Sequence, residues 1–373
     1  MSLIKLCAPF DAHVHLRQGS LAGLVVPHVK RGGIKTAYVM PNTVPPLATP
    51  TEAVDYLRKL QTLDPETLFL PTMYLTTQLT PELIKEAKEK GIVGVKSYPR
   101  GVTTNSDGGV GMEGYSVYDS VFAEMERQGL VLNLHGEVPS DVDAEHGHGA
   151  CVLDAEIRFL PHLKEIARKF PNLKIVLEHC TTSEAVDCVK SLPDHVSATI
   201  TPHHLSLTID GAVSTSLGFC KPLAKYPKDR EALRQVIRDG NAKFFLGSDS
   251  APHPTSTKLP VFKTATNADG QEEHILPSPC AAGIYTSANL VPLTATIFEQ
   301  SGIPLERLEG FVSTFGRKFY GLEAKPEQSI VIKRVENALV EKAFPYVTDN
   351  GDQEFVIPFL AGKAIGWEIV DEA

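Results

Sequence analysis

Paired cysteines are missing: the six present (Cys7, Cys151, Cys180, Cys188, Cys220, Cys280) form no Cys-x-x-Cys spacing in a chain of 373 residues. That excludes a disulfide framework and a zinc ribbon, and reads as reduced thiols. Long apolar runs are missing too, so no membrane span is expected. The first ten residues, MSLIKLCAPF, lack an apolar core followed by a small-residue cleavage site, so no secretory signal is read and a cytoplasmic location is expected. Positive charge is in deficit, 36 Lys+Arg against 45 Asp+Glu for a net charge of −9, which argues against nucleic acid or an anionic membrane as the main partner. An acidic small molecule stays open, because one buried arginine can set a local field. No internal repeat or low-complexity segment stands out. What remains, 42% hydrophobic and 22% charged, is the composition of a globular chain long enough for one large barrel or two medium domains.

Short β-rich runs recur along that chain: FDAHVHL, TAYVMPN, TLFLPTMYL, GVKSYP, LVLNLHGE, KIVLEHCT, SATITPHH and KFFLGSDSAPH. Between most of them lie helical patterns such as TPTEAVDYLRKLQ, TPELIKEAKEKG and TSEAVDCVKSL, several opening at Thr with Glu in the first turn and some stopping at Gly. Strand and helix alternating eight times predict a (β/α)8 TIM barrel, with a doubly wound sheet as the alternative. Polarity favours the barrel: each run is apolar in its middle and turns to His, Asn, Lys, Glu or Asp at its C-terminal end. In a barrel those ends meet on one rim, where active sites are built. The expected division is a barrel with closing helices over residues 1–320 and a small C-terminal appendage of short β pieces over 321–373.

The rim candidates follow strand by strand. His13, His15 and Arg17 alternate along the first strand and share a face; Asn42 ends the second, Lys96 the fourth, His135 the fifth and His179 the sixth. Asp249 and His253 end the eighth. Any one of these taken singly reads as structural, but four histidines, an aspartate and a lysine together read as a metal constellation. Neutral imidazole and carboxylate suit Zn2+ and its first-row neighbours. A lysine ammonium repels cations, so Lys96 fits only if deprotonated or converted to an anion.

DAHVHLRQG and GSDSAPHPTSTK together resemble the two motifs of dihydroorotases, within the metal-dependent amidohydrolase superfamily, and VMPNTVPP, VKSYP, LHGE and LEHCTT resemble the intervening motifs in order. The resemblance covers roughly residues 8–320 and is closest to the shorter, single-function type. It implies two Zn2+ per chain, bridged by Lys96 as N6-carboxylysine, with His13, His15 and Asp249 on one ion and His135 and His179 on the other. A hydroxide between the ions is then the nucleophile and Asp249 the proton shuttle, in the reversible cyclisation of N-carbamoyl-L-aspartate to L-dihydroorotate in pyrimidine synthesis. Arg17, Asn42 and His253 are implied to bind the substrate carboxylate, and Ala282 to touch substrate through its backbone. Loop 100–111, rich in Gly, Thr, Asn and Ser, resembles the family's substrate-covering loop, with Thr103 and Thr104 as its paired threonines. A homodimer is the expectation for the shorter type.

His203 and His204, in TPHH, are tempting as ligands but lie outside the implied site, as do His146 and His148. Lys221 departs from related sequences, which often carry an apolar residue there. Rival readings within the class are dihydropyrimidinase, hydantoinase and allantoinase, which share the metals but act on rings lacking the carboxylate. From other classes come a non-catalytic barrel homologue and a metal-storage protein; the first predicts missing ligands, and the second leaves Arg17 unexplained.

Overall fold

Eight parallel strands, β2 to β9, follow one another in order around a barrel in the computed structural model, which describes residues 2–111, 114–139, 149–259 and 279–370, with 263–266 and 272–275 as backbone only. They are β2 (Phe10–Val14), β3 (Thr36–Val39), β4 (Leu68–Tyr74), β5 (Gly94–Ser97), β6 (Val131–His135), β7 (Ile175–Glu178), β8 (Val196–Ile200) and β9 (Phe244–Leu246). β1 (Leu3–Leu6) lies outside this sheet. The predicted alternation is thus the observed one, and its polar strand ends fall at or just past the last paired residues.

Closure occurs at the site itself. Asp249 N donates to His13 O (2.9 Å) and His15 N to Ser250 O (3.1 Å), joining the end of β9 to the end of β2. Gly247 makes this approach possible, since a Cβ there would meet the Thr199 side chain at 2.7 Å and His13 Cβ at 3.0 Å.

Helices cross over outside. The first two are α1 (Gly19–Arg31) and α2 (Pro50–Leu63). Thr49 and Glu52 form a capping box on α2, while Thr80 and Thr182 accept from the backbone N–H groups of Leu83 and Ala185 at two later helix starts. The floor of the barrel is apolar, packed from Phe10, Tyr38, Leu70, Val131, Val176 and Phe245, with Tyr320 rising into it from the helix Phe315–Tyr320. Tyr320 meets Phe10 edge-on at 5.4 Å between ring centroids.

The closing segment is less regular than two plain helices: Leu290–Gln300 is α-helical, whereas 305–320 passes through 3-10 and π turns before its last α turn. β10 (Lys263–Thr266) and β11 (Glu272–Ile275) pair as a hairpin. In the C-terminal extension, β12 (Ile330–Leu339) lies between β1 and β15 (Ala364–Val370) in one antiparallel sheet, so the start of the chain supplies an edge of it. Trp367, fully buried, donates from Nε1 to Glu299 on the closing helix at 2.9 Å. β13 (Phe344–Val347) and β14 (Gln353–Val356) form a separate hairpin.

Candidate metal centre and anion pocket

The strands deliver their polar ends to one buried cluster: His13, His15, Lys96, His135, His179 and Asp249 are all within 7% exposure. Burial on that scale requires each polar group to have a partner, so where the hydrogens sit decides what the cluster wants. Glu178 Oε2, a carboxylate oxygen, lies 2.8 Å from His13 Nδ1, so that nitrogen carries the hydrogen. Asn42 donates from Nδ2 to Thr104 O at 3.0 Å, which leaves its Oδ1 to accept from His15 Nδ1 at 2.7 Å. Both imidazoles therefore aim a bare Nε2 inward. These two nitrogens lie 3.4 Å apart, and both face Asp249 Oδ1, at 3.4 Å from His13 and 3.0 Å from His15. Three lone-pair acceptors converge with no hydrogen to share, an arrangement that asks for a cation.

The second half is built alike. Glu137 Oε2 accepts from His135 Nε2 at 2.7 Å, freeing Nδ1, and the His135 and His179 ring centroids are 4.5 Å apart. His179 Nδ1 and Lys96 Nζ, both buried, have no hydrogen-bond partner. A carboxylate or amide on the far nitrogen of an inward-facing imidazole is the usual support for a metal-bound histidine. The residues present therefore fit a metal site, and the orphaned, fully buried Lys96 Nζ fits conversion to an anion.

Electrostatics agree. Burial lowers His15 to about 4 and holds His135 and His179 below their ordinary value, keeping them neutral. Burial also brings Lys96 down to about 8, against the pull of Glu178 and Asp249. Asp249 is lowered against the effect of burial in the protonation state in which His15 donates to it; with both Nε2 atoms bare, a cation would take the place of that proton. Glu137 is lowered to about 2 by the His135 hydrogen bond and by Lys225, whose Nζ lies 3.7 Å away, despite burial. Arg17, His179 and Asp249 have φ of +56°, +39° and +44°, a region that costs non-glycine residues about 1–3 kcal/mol each. The chain turns there to aim the side chains.

One side of the cavity wants an anion. Arg17 donates from Nε to Pro252 O at 2.9 Å. His253 Nε2 is 2.9 Å from Ala282 O and 3.1 Å from an Arg17 terminal nitrogen. A single ring nitrogen cannot serve both: donating to Ala282 O, it accepts nothing from Arg17, whose terminal N–H groups at that point stay available to an anion such as a carboxylate. His253 is neutral, its pKa lowered by burial and by Arg17. Arg17, Asn42, Thr103, Thr104, Lys221 and Ala282 line the same cavity of ≈ 30 Å³ as the metal-site histidines.

The structure thus brings together every residue the sequence singled out for the site. His203, His204 and Cys220 also gather buried ligand atoms. Both His204 nitrogens are engaged, however, with Thr201 Oγ1 at 2.8 Å and Pro222 O at 3.0 Å, so that group does not converge on a cation. His146 and His148 fall outside the described residues. Sequence reasoning missed Glu178, Glu137 and Lys225. The signal for the first two was adjacency, in LEHC and HGE, but nothing local marks a carboxylate as a histidine's partner.

Comparison with known proteins agrees with this geometry. The family described as amidohydrolase matches residues 65–242. A dihydroorotase of Mycosarcoma maydis is 48% identical, with 98% of each chain covered, and a dihydroorotase of Saccharomyces cerevisiae is 41% identical, again with 98% of each covered. Among solved structures, dihydroorotase from Saccharomyces cerevisiae in complex with 5-fluoroorotic acid superposes with a TM-score of 0.86 at 39% identity, covering 99% of both chains.

Proposed function

The chain belongs to the dihydroorotases of the amidohydrolase family, hydrolases acting on cyclic amides, and from that premise we propose that it interconverts N-carbamoyl-L-aspartate and L-dihydroorotate at a binuclear zinc site. The observation that carries the reading is the pairing of opposite demands within one cavity: converging acceptors at His13, His15 and Asp249, and the Arg17 guanidinium, which His253 adjoins.

His13, His15 and Asp249 would hold one ion, His135 and His179 the other, and Lys96, carboxylated on Nζ, would bridge them. Such a pair of ions, when bound, acidifies a water and polarises the carbonyl it attacks. The remaining work falls to the chain. Asp249, ionised at neutral pH, accepts the proton of the attacking water and returns it to the ring nitrogen as the amide bond breaks. Arg17, Asn42 and His253 bind the carboxylate outside the reacting bond; the orotic-acid analogue bound by the yeast relative carries such a group. That carboxylate separates dihydroorotate from the rings of dihydropyrimidinase, hydantoinase and allantoinase. The Ala282 backbone borders the ring, and Thr103 and Thr104 close the cavity from above. Loop 100–111, which carries both threonines, is the segment that would cover bound substrate and exclude water.

The same reading takes residues 1–320 as the catalytic barrel, 321–373 as an extension packed on it, and the working form as a cytoplasmic homodimer without nucleic-acid or membrane partners. Among the described residues no helix is long and apolar enough to cross a membrane.

The test is a two-substrate assay with metal analysis on one preparation. Turnover of dihydroorotate far above dihydrouracil, with near two zinc ions per chain, supports the proposal. Preference for dihydrouracil overturns the role of Arg17 while keeping the metals, and a fully metallated protein that turns over neither overturns the reaction.

A further inference from the structure

The C-terminal extension touches the rim through the hairpin of β13 and β14. Its base is anchored: Phe344 packs on His28 of α1 at 4.6 Å between ring centroids, and Val356 is buried. Its turn is closed by Thr348, which donates from N to Asp352 O at 2.8 Å and accepts from Asp352 N at Oγ1, 3.1 Å. The turn projects Asp349 onto the start of α1, where its Oδ1 accepts from Ser20 N at 2.9 Å. No side chain of the helix's own leading segment caps this end, because Gln18 turns away to accept from Val44 N at 2.8 Å. Gly19 makes room, since a Cβ there would meet Asp349 Oδ2 at 2.2 Å. Arg17 is three residues upstream of Ser20.

Glu354, on β14, does the same at the other end of the barrel's strand order. Its Oε2 accepts from Thr255 Oγ1 at 2.8 Å and Ser256 N at 3.4 Å, at the start of the short helix Thr255–Lys258. His253 is two residues upstream. At that helix's end Lys258 Nζ donates to Ala281 O at 2.9 Å, beside Ala282. A single hairpin therefore grips the chain just beyond each of the two residues, Arg17 and His253, whose side chains meet beside the cavity.

We propose that this hairpin is a positioning device for substrate recognition: Asp349 and Glu354 hold the segments bearing Arg17 and His253 at the separation at which both reach one carboxylate. This rests on the assignment of Arg17 and His253 to the substrate carboxylate. Neither acid touches substrate, so their loss loosens the pocket and leaves the reacting groups in place.

The experiment is steady-state kinetics with dihydroorotate on the metal-loaded full chain, with metal content and melting temperature read alongside. Asp349→Ala combined with Glu354→Ala is expected to raise KM about 3- to 30-fold, the range that lost helix caps convert to, with kcat within about twofold and both metals retained. Asp349→Asn, whose amide oxygen still accepts from Ser20 N, keeps the wild-type KM. Should the double variant not fold, Asp349→Ala alone, at an exposed turn, carries the test with an expected rise of about 2- to 10-fold. Arg17→Ala runs in parallel. An unchanged KM in the brace variants beside a raised KM in Arg17→Ala overturns the positioning role alone. A fall in kcat and in metal content alongside the raised KM overturns it in favour of plain structural support. An unchanged KM in Arg17→Ala overturns the carboxylate assignment beneath it.

Discussion

Lys96 Nζ is fully buried, has no hydrogen-bond partner, and stands 4.7 Å above the Tyr98 ring among imidazoles that point lone pairs inward. Its displacement to about 8 by burial has a chemical consequence. Only the neutral amine attacks CO2, and the neutral fraction climbs from about a tenth at pH 7 to about three-quarters at pH 8.5. Metal-stripped protein supplied with zinc and a fixed concentration of dissolved CO2 should therefore recover activity several-fold faster at pH 8.5 than at pH 7. A recovery rate flat across that window would remove carboxylation from the path. Lys96→Ala should bind neither ion tightly and lose activity by at least about a thousandfold; full metal retention would remove the bridging role. Asp249→Asn keeps the shape but not the acceptor, and kcat should fall by roughly a hundredfold or more, read from single-turnover traces.

At the scale of elements, the barrel floor is wired to the metal site through β6 and β7. Tyr38 OH donates to Asn133 Oδ1 at 2.7 Å, Asn133 Nδ2 donates to Glu178 Oε1 at 2.6 Å, and Glu178 holds His13. The two ends of this relay should respond differently. Glu178→Gln replaces a charged acceptor with a neutral one at a ligand's far nitrogen, which should cost about 10- to 100-fold in affinity for the first ion, measured by competition with a chelating dye. Tyr38→Phe strands the Asn133 acceptor and should cost about 1–3 kcal/mol of stability by denaturant titration, with metal affinity retained. This relay also marks where the sequence stops being legible. His13, His15, Lys96, His135, His179 and Asp249 stood out because each breaks an apolar strand at its C-terminal end, a signal written in local periodicity. Tyr38 continues an ordinary strand pattern and Glu178 reads as one more polar strand end, and their roles exist only through neighbours up to three strands away. The same holds for Leu3–Leu6, whose pairing with β12 joins residues more than 300 positions apart and leaves no periodic trace, and for Asp349 on Ser20.

For the molecule as a whole, the metal site is also the seam. The backbone bonds that close β2 onto β9, Asp249 N to His13 O and His15 N to Ser250 O, come from the residues whose side chains crowd three acceptors together. Without a cation those acceptors repel, and the repulsion bears on the contact that turns an open eight-stranded sheet into a barrel. Bound metal should therefore stabilise the fold twice over. It stabilises by mass action, about 2.7 kcal/mol for one site at a hundred times its dissociation constant, and it does so locally, by holding β2 against β9. Chelation should lower the melting temperature by a few degrees, reversibly on returning zinc. Hydrogen exchange separates the two effects. In the chelated protein the amides of His15 and Asp249 should exchange faster by a larger factor than those of β5 and β6, on the opposite wall of the barrel. Uniform acceleration around the barrel would mean that the metal stabilises the whole fold and the seam carries no special load; selective acceleration at the seam would make metal occupancy part of how the barrel stays closed.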